Sequence, residues 1–227
     1  MSYLDDYIVR INVTGNSIAE AQTNATVLSI NAAFNDSPWY KLVTIDGVEK
    51  DAQIQDMQSV VRSNTLMTIL TTNKFILLKP YESANLGSIV EYDNYTYIVT
   101  DFIVDNPLFP KGKIEQCNTT IDIITSTTET VTGTDSMGRP IVEKTPVPTT
   151  LPCLFVGNLT SSSMNNEINQ PRDTVKFTVQ YNNTSKLIKE GDNYTFYDRS
   201  YKVKSIDHTN IYNGVGLIQV LADRDVV

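Results

Sequence analysis

From Trp39 onward, short apolar-rich runs alternate with turn residues, and the recurring period is two. Period two marks a strand with one buried face. "YKLVTIDGVEKDAQIQDM" predicts a strand, an Asp46-Gly47 turn and a second strand. "SNTLMTILTT" and "KFILLKP" predict further strands, the latter closed by Pro80. The first 38 residues differ. Ser17 with Glu20 forms a capping box, Ile18, Ala21, Ala25 and Leu28 follow at helical spacing, and "NDSP" stops the run. A helix over about 17–33 is predicted, with a thin apolar face that needs the body or a neighbouring subunit to dock on.

One pattern occurs twice. "GSIVEYDNYTYIVTDFIVDNPLFPKG" spans Gly87 to Gly112, and "GDNYTFYDRSYKVKSIDHTNIYNGVG" spans Gly191 to Gly216. A shift of 104 aligns them without a gap. Tyr92 then falls on Phe196, Tyr97 on Tyr201, Val99 on Val203, Phe102 on Ile206, Asn106 on Asn210 and Ile114 on Ile218. Tyr95, Tyr97 and Val99 alternate along the first copy, and Tyr201 and Val203 along the second. Asp93-Asn94 reads as a hairpin turn, with Asp198-Arg199 in the same role. Each copy is therefore hairpin, strand, loop and returning strand, a unit that closes into a small antiparallel barrel. One larger sandwich sharing the two copies is the alternative.

Between the copies lies "NTTIDIITSTTETVTGTDSMGRPIVEKTPVPTT". Gly138 and Pro140 make a turn between Thr-rich flanks at 121–133 and 141–149. Their strand propensity favours a long exposed hairpin over a linker. The predicted organisation is mainly β: a helical segment over 1–38, barrel-like domains over 39–124 and 150–227, and the hairpin or linker over 125–149.

Composition supports this. Hydrophobic residues make up 41% and charged residues 19% of 227, enough to build a core. The formal charge of −8, with no basic block, argues against a protein that grips nucleic acid. The N-terminus has no basic region followed by an apolar run, so no signal peptide is expected. No run approaches eighteen apolar residues, so no membrane span is expected. Cys117 and Cys153 are too few for a disulfide scaffold and read as two thiols.

Candidate chemistry is sparse. The single histidine, His208, forms no spaced ligand cluster with the cysteines. Asp101, Asp105 and Asp207 read as solvated turn residues, and Asp122 as an outward-facing strand residue. "SMGRP" lacks the Lys-Ser/Thr of a phosphate loop. No metal, no cofactor and no catalysis are expected. Binding offers more. Leu108 and Phe109 sit between prolines in a stiff loop, and Tyr212 lies in the matching loop, "IYNGV", which reads as flexible. Met137 and Arg139 sit at the hairpin tip. These five are the candidate subunit or partner contacts.

"YKVKSIDHTNIYNGVGLIQVLADR" resembles the closing segment of the head-closure, or stopper, proteins of tailed bacteriophages. Tyr201, Val203, Gly216, Ile218 and Val220 carry the resemblance. Tyr97, Val99, Gly112 and Ile114 fit nearly as well, and "TDSMGRPI" is similar to hairpin tips in that family. The resemblance implies a homo-oligomeric ring of the virion neck. Such a ring assembles in the bacterial cytoplasm between a portal or adaptor and the tail, around packaged DNA that it does not grip. A tail or baseplate protein with tandem barrels is the alternative, and a carbohydrate-binding module using exposed tyrosines a more distant one.

Overall fold

The computed structural model describes residues 17–59, 69–103, 105–134, 136–157 and 174–225. It is mainly β, with two tandem barrel-like domains, a short N-terminal helix and a long hairpin. Strands β1 (Tyr40–Ile45), β2 (Val48–Ser59), β3 (Ile69–Leu78), β4 (Ile89–Tyr92), β5 (Tyr95–Ile103) and β6 (Lys111–Gln116) close a barrel in the order β1-β2-β3-β6-β5-β4. Strands β7 (Thr119–Thr134), β8 (Pro140–Val156), β9 (Thr174–Gln180), β10 (Asn193–Phe196), β11 (Arg199–Asp207) and β13 (Val215–Arg224) form a second sheet, ordered β10-β11-β13-β9-β8-β7. The two-residue β12 (Ile211–Tyr212) pairs with β13. The fold divides into two compact units. One holds Met1–Ala84, Val90–Asn94 and Asp101–Ile114, and the other Asn85–Ile89, Tyr95–Thr100 and Glu115–Val227.

In the first unit, helix α1 (Ile18–Phe34) starts where the capping box places it. Ser17 is extended, and its side chain accepts the Glu20 N–H at 3.1 Å. The predicted buried face is not the one used. Ile18 and Leu28 are exposed, and the buried residue of the helix is Phe34 at its C-terminal end. There Gln53 Nε2 donates to the Phe34 carbonyl at 3.1 Å, and the Lys79 ammonium lies 5.7 Å from the ring centroid. Alanine at 21 and 25 offers too little apolar area to draw the rest of the helix down. The Asp46-Gly47 turn has both residues at positive φ, as a two-residue hairpin requires. Val43, Ile45, Ala52, Ile54, Ile76 and Leu78 are buried at alternate positions. β3 is one strand where the sequence suggested two, and Ser63–Thr68 lie outside the described residues.

The second unit holds an extended core. β9 is buried on both faces. Val175, Phe177 and Val179 join Ile121, Ile123, Phe196, Tyr201, Val203, Ile218 and Val220 in one cluster. Phe177 and Phe155 lie 5.2 Å and 4.9 Å from the Phe196 ring centroid, tilted as aromatic pairs prefer. A smaller cluster joins Ile98, Leu154 and Leu217, with Leu86, Ile89 and Cys117 packed against it. Ile98 changes the reading of β5. Period two put Tyr95, Tyr97 and Val99 on the buried face, yet Tyr95 is exposed and Tyr97, Ile98 and Val99 are all buried. Burial of both faces at this point does not follow from alternation.

The 104-residue repeat holds at the level of single hydrogen bonds. β10 and β11 begin and end 104 residues after β4 and β5. Gly87 N–H donates to the Val99 carbonyl (2.8 Å), and Val99 N–H to that of Ser88 (2.9 Å). Gly191 and Val203, then Val203 and Asp192, repeat this at 2.9 and 2.8 Å. The Asn85 N–H donates to Ser88 Oγ, as the Lys189 N–H does to Asp192 Oδ2. The repeat also corrects one turn. Asp198-Arg199 is not the second hairpin's turn. Arg199 pairs with Phe196, and the turn is Tyr197-Asp198, at φ 50° and 62°. Its counterpart Asp93-Asn94 lies at 50° and 64°. Tyrosine is a poor choice for positive φ. Contacts from its side chain offset that cost: Tyr197 Oη donates to the Asn118 carbonyl at 3.0 Å, and its ring stands edge-on to Phe155 at 5.5 Å.

Gly87 sits at φ +85°, and a Cβ added there would overlap the carbonyl of Gly216. Gly216 itself, at φ +146°, leaves no room for a Cβ against Asn210. Gly191, the repeat partner of Gly87, faces open space at φ +91°. Gly87→Ala is therefore expected to cost about 2–4 kcal/mol, combining overpacking with the left-handed penalty, and Gly191→Ala only about 1–2 kcal/mol. Urea-unfolding midpoints at unchanged m-value check the order, and equal midpoints would refute it.

Candidate interaction surfaces

The loop that carries Leu108 and Phe109 is pinned by its own backbone. Asn106 accepts the Leu108 N–H on its side-chain oxygen and the Phe109 N–H on its carbonyl, both at 3.2 Å. The Pro107 and Pro110 carbonyls accept from Tyr81 (2.7 Å) and Leu78 (2.9 Å). Pro110 is buried, Leu108 half-buried and Phe109 46% exposed. The loop therefore offers one ring to solvent on a fixed frame.

The matching segment is not an open loop. Ile211 pairs with Gly216 and Tyr212 with Val215 around an Asn213-Gly214 turn at φ 50° and 81°, a two-residue hairpin. The expectation of a flexible loop fails because "NG" supplies the turn these strands need. Tyr212 is 65% exposed at its tip. Just before it, Asp207 accepts the Thr209 N–H at 2.8 Å. That bond, then the Thr209 hydroxyl, with His208 adding a little, holds the Asp207 carboxyl below the usual carboxylate range.

Met137 and Arg139 flank Gly138 (φ +78°) at the turn between β7 and β8, where Met137 is 78% exposed. The flanking strands pair throughout, from Thr119↔Cys153 to Thr134↔Pro140. Ile121 and Ile123 are buried, whereas Asp122 points outward, where its carboxylate accepts the Thr150 hydroxyl. Beyond Ile123 both faces of the hairpin are exposed, including Ile124, Val131, Val142 and Val147. Thr-rich composition hid these four apolar positions from the sequence reading. Leu108 and Phe109 share one loop of the first unit; in the second, Met137 and Arg139 share the β7–β8 turn and Tyr212 stands on the β12–β13 hairpin.

Two recesses were not legible in the sequence. On the first unit, Gln53, Gln55, Phe75, Leu77 and Lys111 line a groove of about 300 Å³ on the strand surface. In the second, a recess of about 190 Å³ is lined by Leu86, Leu154 and Leu217 together with Glu115, Lys176 and Asn210. The second holds too little volume for a drug-sized ligand. Among the described residues no three His, Cys, Asp or Glu side chains are placed to hold a metal, and His208 is exposed. No described helix is long and apolar enough to cross a membrane.

Residues 118–223 match the family model described as the YomX C-terminal domain. The chain is 28% identical over 189 residues to the SPbeta prophage-derived uncharacterized protein YomX of Bacillus subtilis strain 168, covering 81% of this chain and 82% of that protein. No solved structure matches it. The chain is thus a phage-related protein similar to YomX.

The two cysteines are free thiols, Cys117 partly buried and Cys153 fully. Burial pushes the Cys117 thiol up to about 12. It raises that of Cys153 as well, with Cys117 nearby adding to the effect. At neutral pH the folded state then holds up to ~10³-fold less Cys117 thiolate than the unfolded chain, and alkylation slows accordingly. A raised thiol pKa contributes stability that is full below the unfolded value near 9 and lost as pH rises toward 12. The urea midpoint is expected to fall above about pH 9 and to fall less in Cys117→Ala. Equal pH slopes for the two proteins would refute this.

Proposed function

We propose that this phage-related chain is a structural, non-catalytic protein of the virion neck, one subunit of a ring between portal and tail. The ring closes the DNA-filled head and presents a surface to the tail. The observation that carries the reading is the form of the exposed surface. Phe109, Tyr212, Met137 and Arg139 stand on loops and hairpin tips held by closed or nearly closed strand layers. Rigid β-scaffolds with aromatic, Met and Arg residues at their tips suit protein partners rather than substrates. The similarity to a prophage-derived protein and the resemblance of both repeat copies to head-closure barrels support the same direction.

In this reading, the Phe109 loop and helix α1 contact the next subunit. A closed ring needs a heterologous interface, and these two elements present different surfaces. The portal or adaptor lies on one side and tail proteins on the other. The charge of −8 suits a wall past which DNA slides. The particle assembles in the host cytoplasm.

Electron microscopy of particles labelled on this chain tests the proposal. Label at the head–tail junction is expected. Label at the tail tip would favour a baseplate role, and its absence from purified particles would overturn a virion role altogether. Phe109→Ser is expected to leave folding unchanged and to lower the yield of tailed particles by roughly tenfold or more, the scale of one lost interface anchor of about 1.4 kcal/mol or more.

A further inference from the structure

The β7–β8 hairpin is exposed on both faces from Ile124 to Thr130 on one strand and from Val142 to Pro148 on the other. A two-stranded ribbon without a buried face is marginal in water, and a third strand is what stabilises such a ribbon. Its two edges are not equivalent. The phase of β8 is fixed at its base, where Asn118 grips Phe155 from the β7 side: Asn118 Oδ1 accepts the Phe155 N–H at 2.8 Å, and Asn118 Nδ2 donates to the Phe155 carbonyl at 2.7 Å. Odd-numbered residues of β8 therefore turn their backbone groups toward β7. Even-numbered ones turn them the other way, as Leu154 does where it pairs with Thr178 of β9. Both register shifts fall on β7, so this alternation runs unbroken along β8.

All four prolines of β8, Pro140, Pro146, Pro148 and Pro152, have even numbers. Their nitrogens face the outer edge, which lacks four of its seven donors between residues 140 and 152. Proline on an edge strand blocks strand addition while leaving the internal ladder intact. The β7 edge has no proline. Near its base it runs beside Leu187, Asn193 and Tyr194. Farther out, bulges at Thr125 and Thr132 bound a regular segment, Ser126–Val131, whose partners in β8 run from Val147 to Val142. In that segment Thr127, Glu129 and Val131 turn their N–H and C=O groups outward.

We infer that Ser126–Val131 is a strand-addition edge and that its occupant is the same edge of a second copy of this chain. The register of this edge favours this choice, and local charge permits it. Two chains of −8 repel each other, but this segment carries one charged side chain, Glu129, held by Lys144 at 2.8 Å. Antiparallel pairing that sets Thr127 opposite Glu129 of the second copy aligns the outward-facing groups of both strands. It keeps the two glutamates from facing each other and places the two Thr128 residues side by side. The contact is isologous and closes as a dimer, so it does not depend on the neck reading.

Sedimentation velocity of the full-length chain, with proline variants matched on the two edges, tests this. Thr127→Pro removes an outward donor from the β7 edge. Val142→Pro removes one from the β8 edge without touching the Glu129–Lys144 pair, and each spares the β7–β8 ladder. The wild type and Val142→Pro are expected to dimerise, and Thr127→Pro to weaken dimerisation ~10-fold or more. As a second reading independent of proline, Thr128→Cys is expected to give covalent dimers on mild oxidation, which Val142→Cys does not. A wild type that stays monomeric at micromolar concentration, equal dimerisation of both proline variants, or no Thr128→Cys cross-link overturns the inference.

Discussion

The backbone of Gly87 lies against the peptide of Gly216 at a distance that no side chain permits. Around this approach the second unit assembles. Gly87 donates to Val99, the Gly216 carbonyl accepts from Tyr181 at 2.8 Å, and Leu86, Ile89, Ile98 and Leu217 gather beside them with Leu154. A Cβ at either glycine forces the two segments apart and opens the small cluster they enclose. Gly87 and Gly216 thus act less as hinges than as points of contact, whereas Gly191 faces open space.

The same duplicated frame is used for different ends. In both copies a tight turn, a pair of reciprocal backbone hydrogen bonds and an alternating strand recur 104 residues apart. What differs is what each copy adds. One carries a proline-pinned loop with Phe109, and the other a short ribbon with Tyr212. Tyr197 shows that the frame outranks local preference. It takes a conformation that tyrosine disfavours, because the register demands a turn there and because Phe155 and Asn118 receive its side chain.

The hairpin follows the opposite logic. Its first residues, Ile121 and Ile123, are anchored in the main cluster, and the rest stands in solvent on both faces. Its composition makes it a strand, and its prolines decide which of its edges stays open. Such an element gains little from its own chain and is suited to gain from another.

By itself the sequence determined the β-rich pattern, the helix start, the hairpin turns at Asp46-Gly47 and Asp93-Asn94, and the 104-residue register, but not the unity of β3 or the β12 ribbon. The features it determined depend on local chemistry: alternation, capping, and residues that tolerate positive φ. Exposure of Phe109, Tyr212 and Met137 was also legible, since each lies beside turn residues. Tertiary structure decided the rest. Ile98 is buried because a second cluster covers the face that alternation assigns to solvent. Ile18 and Leu28 are exposed among the described residues, where the helix buries Phe34 at its end. Gly87 must be glycine because a residue 129 positions away passes against it. Local pattern fixes what a segment can form, but only packing between segments distant in sequence fixes which face is covered.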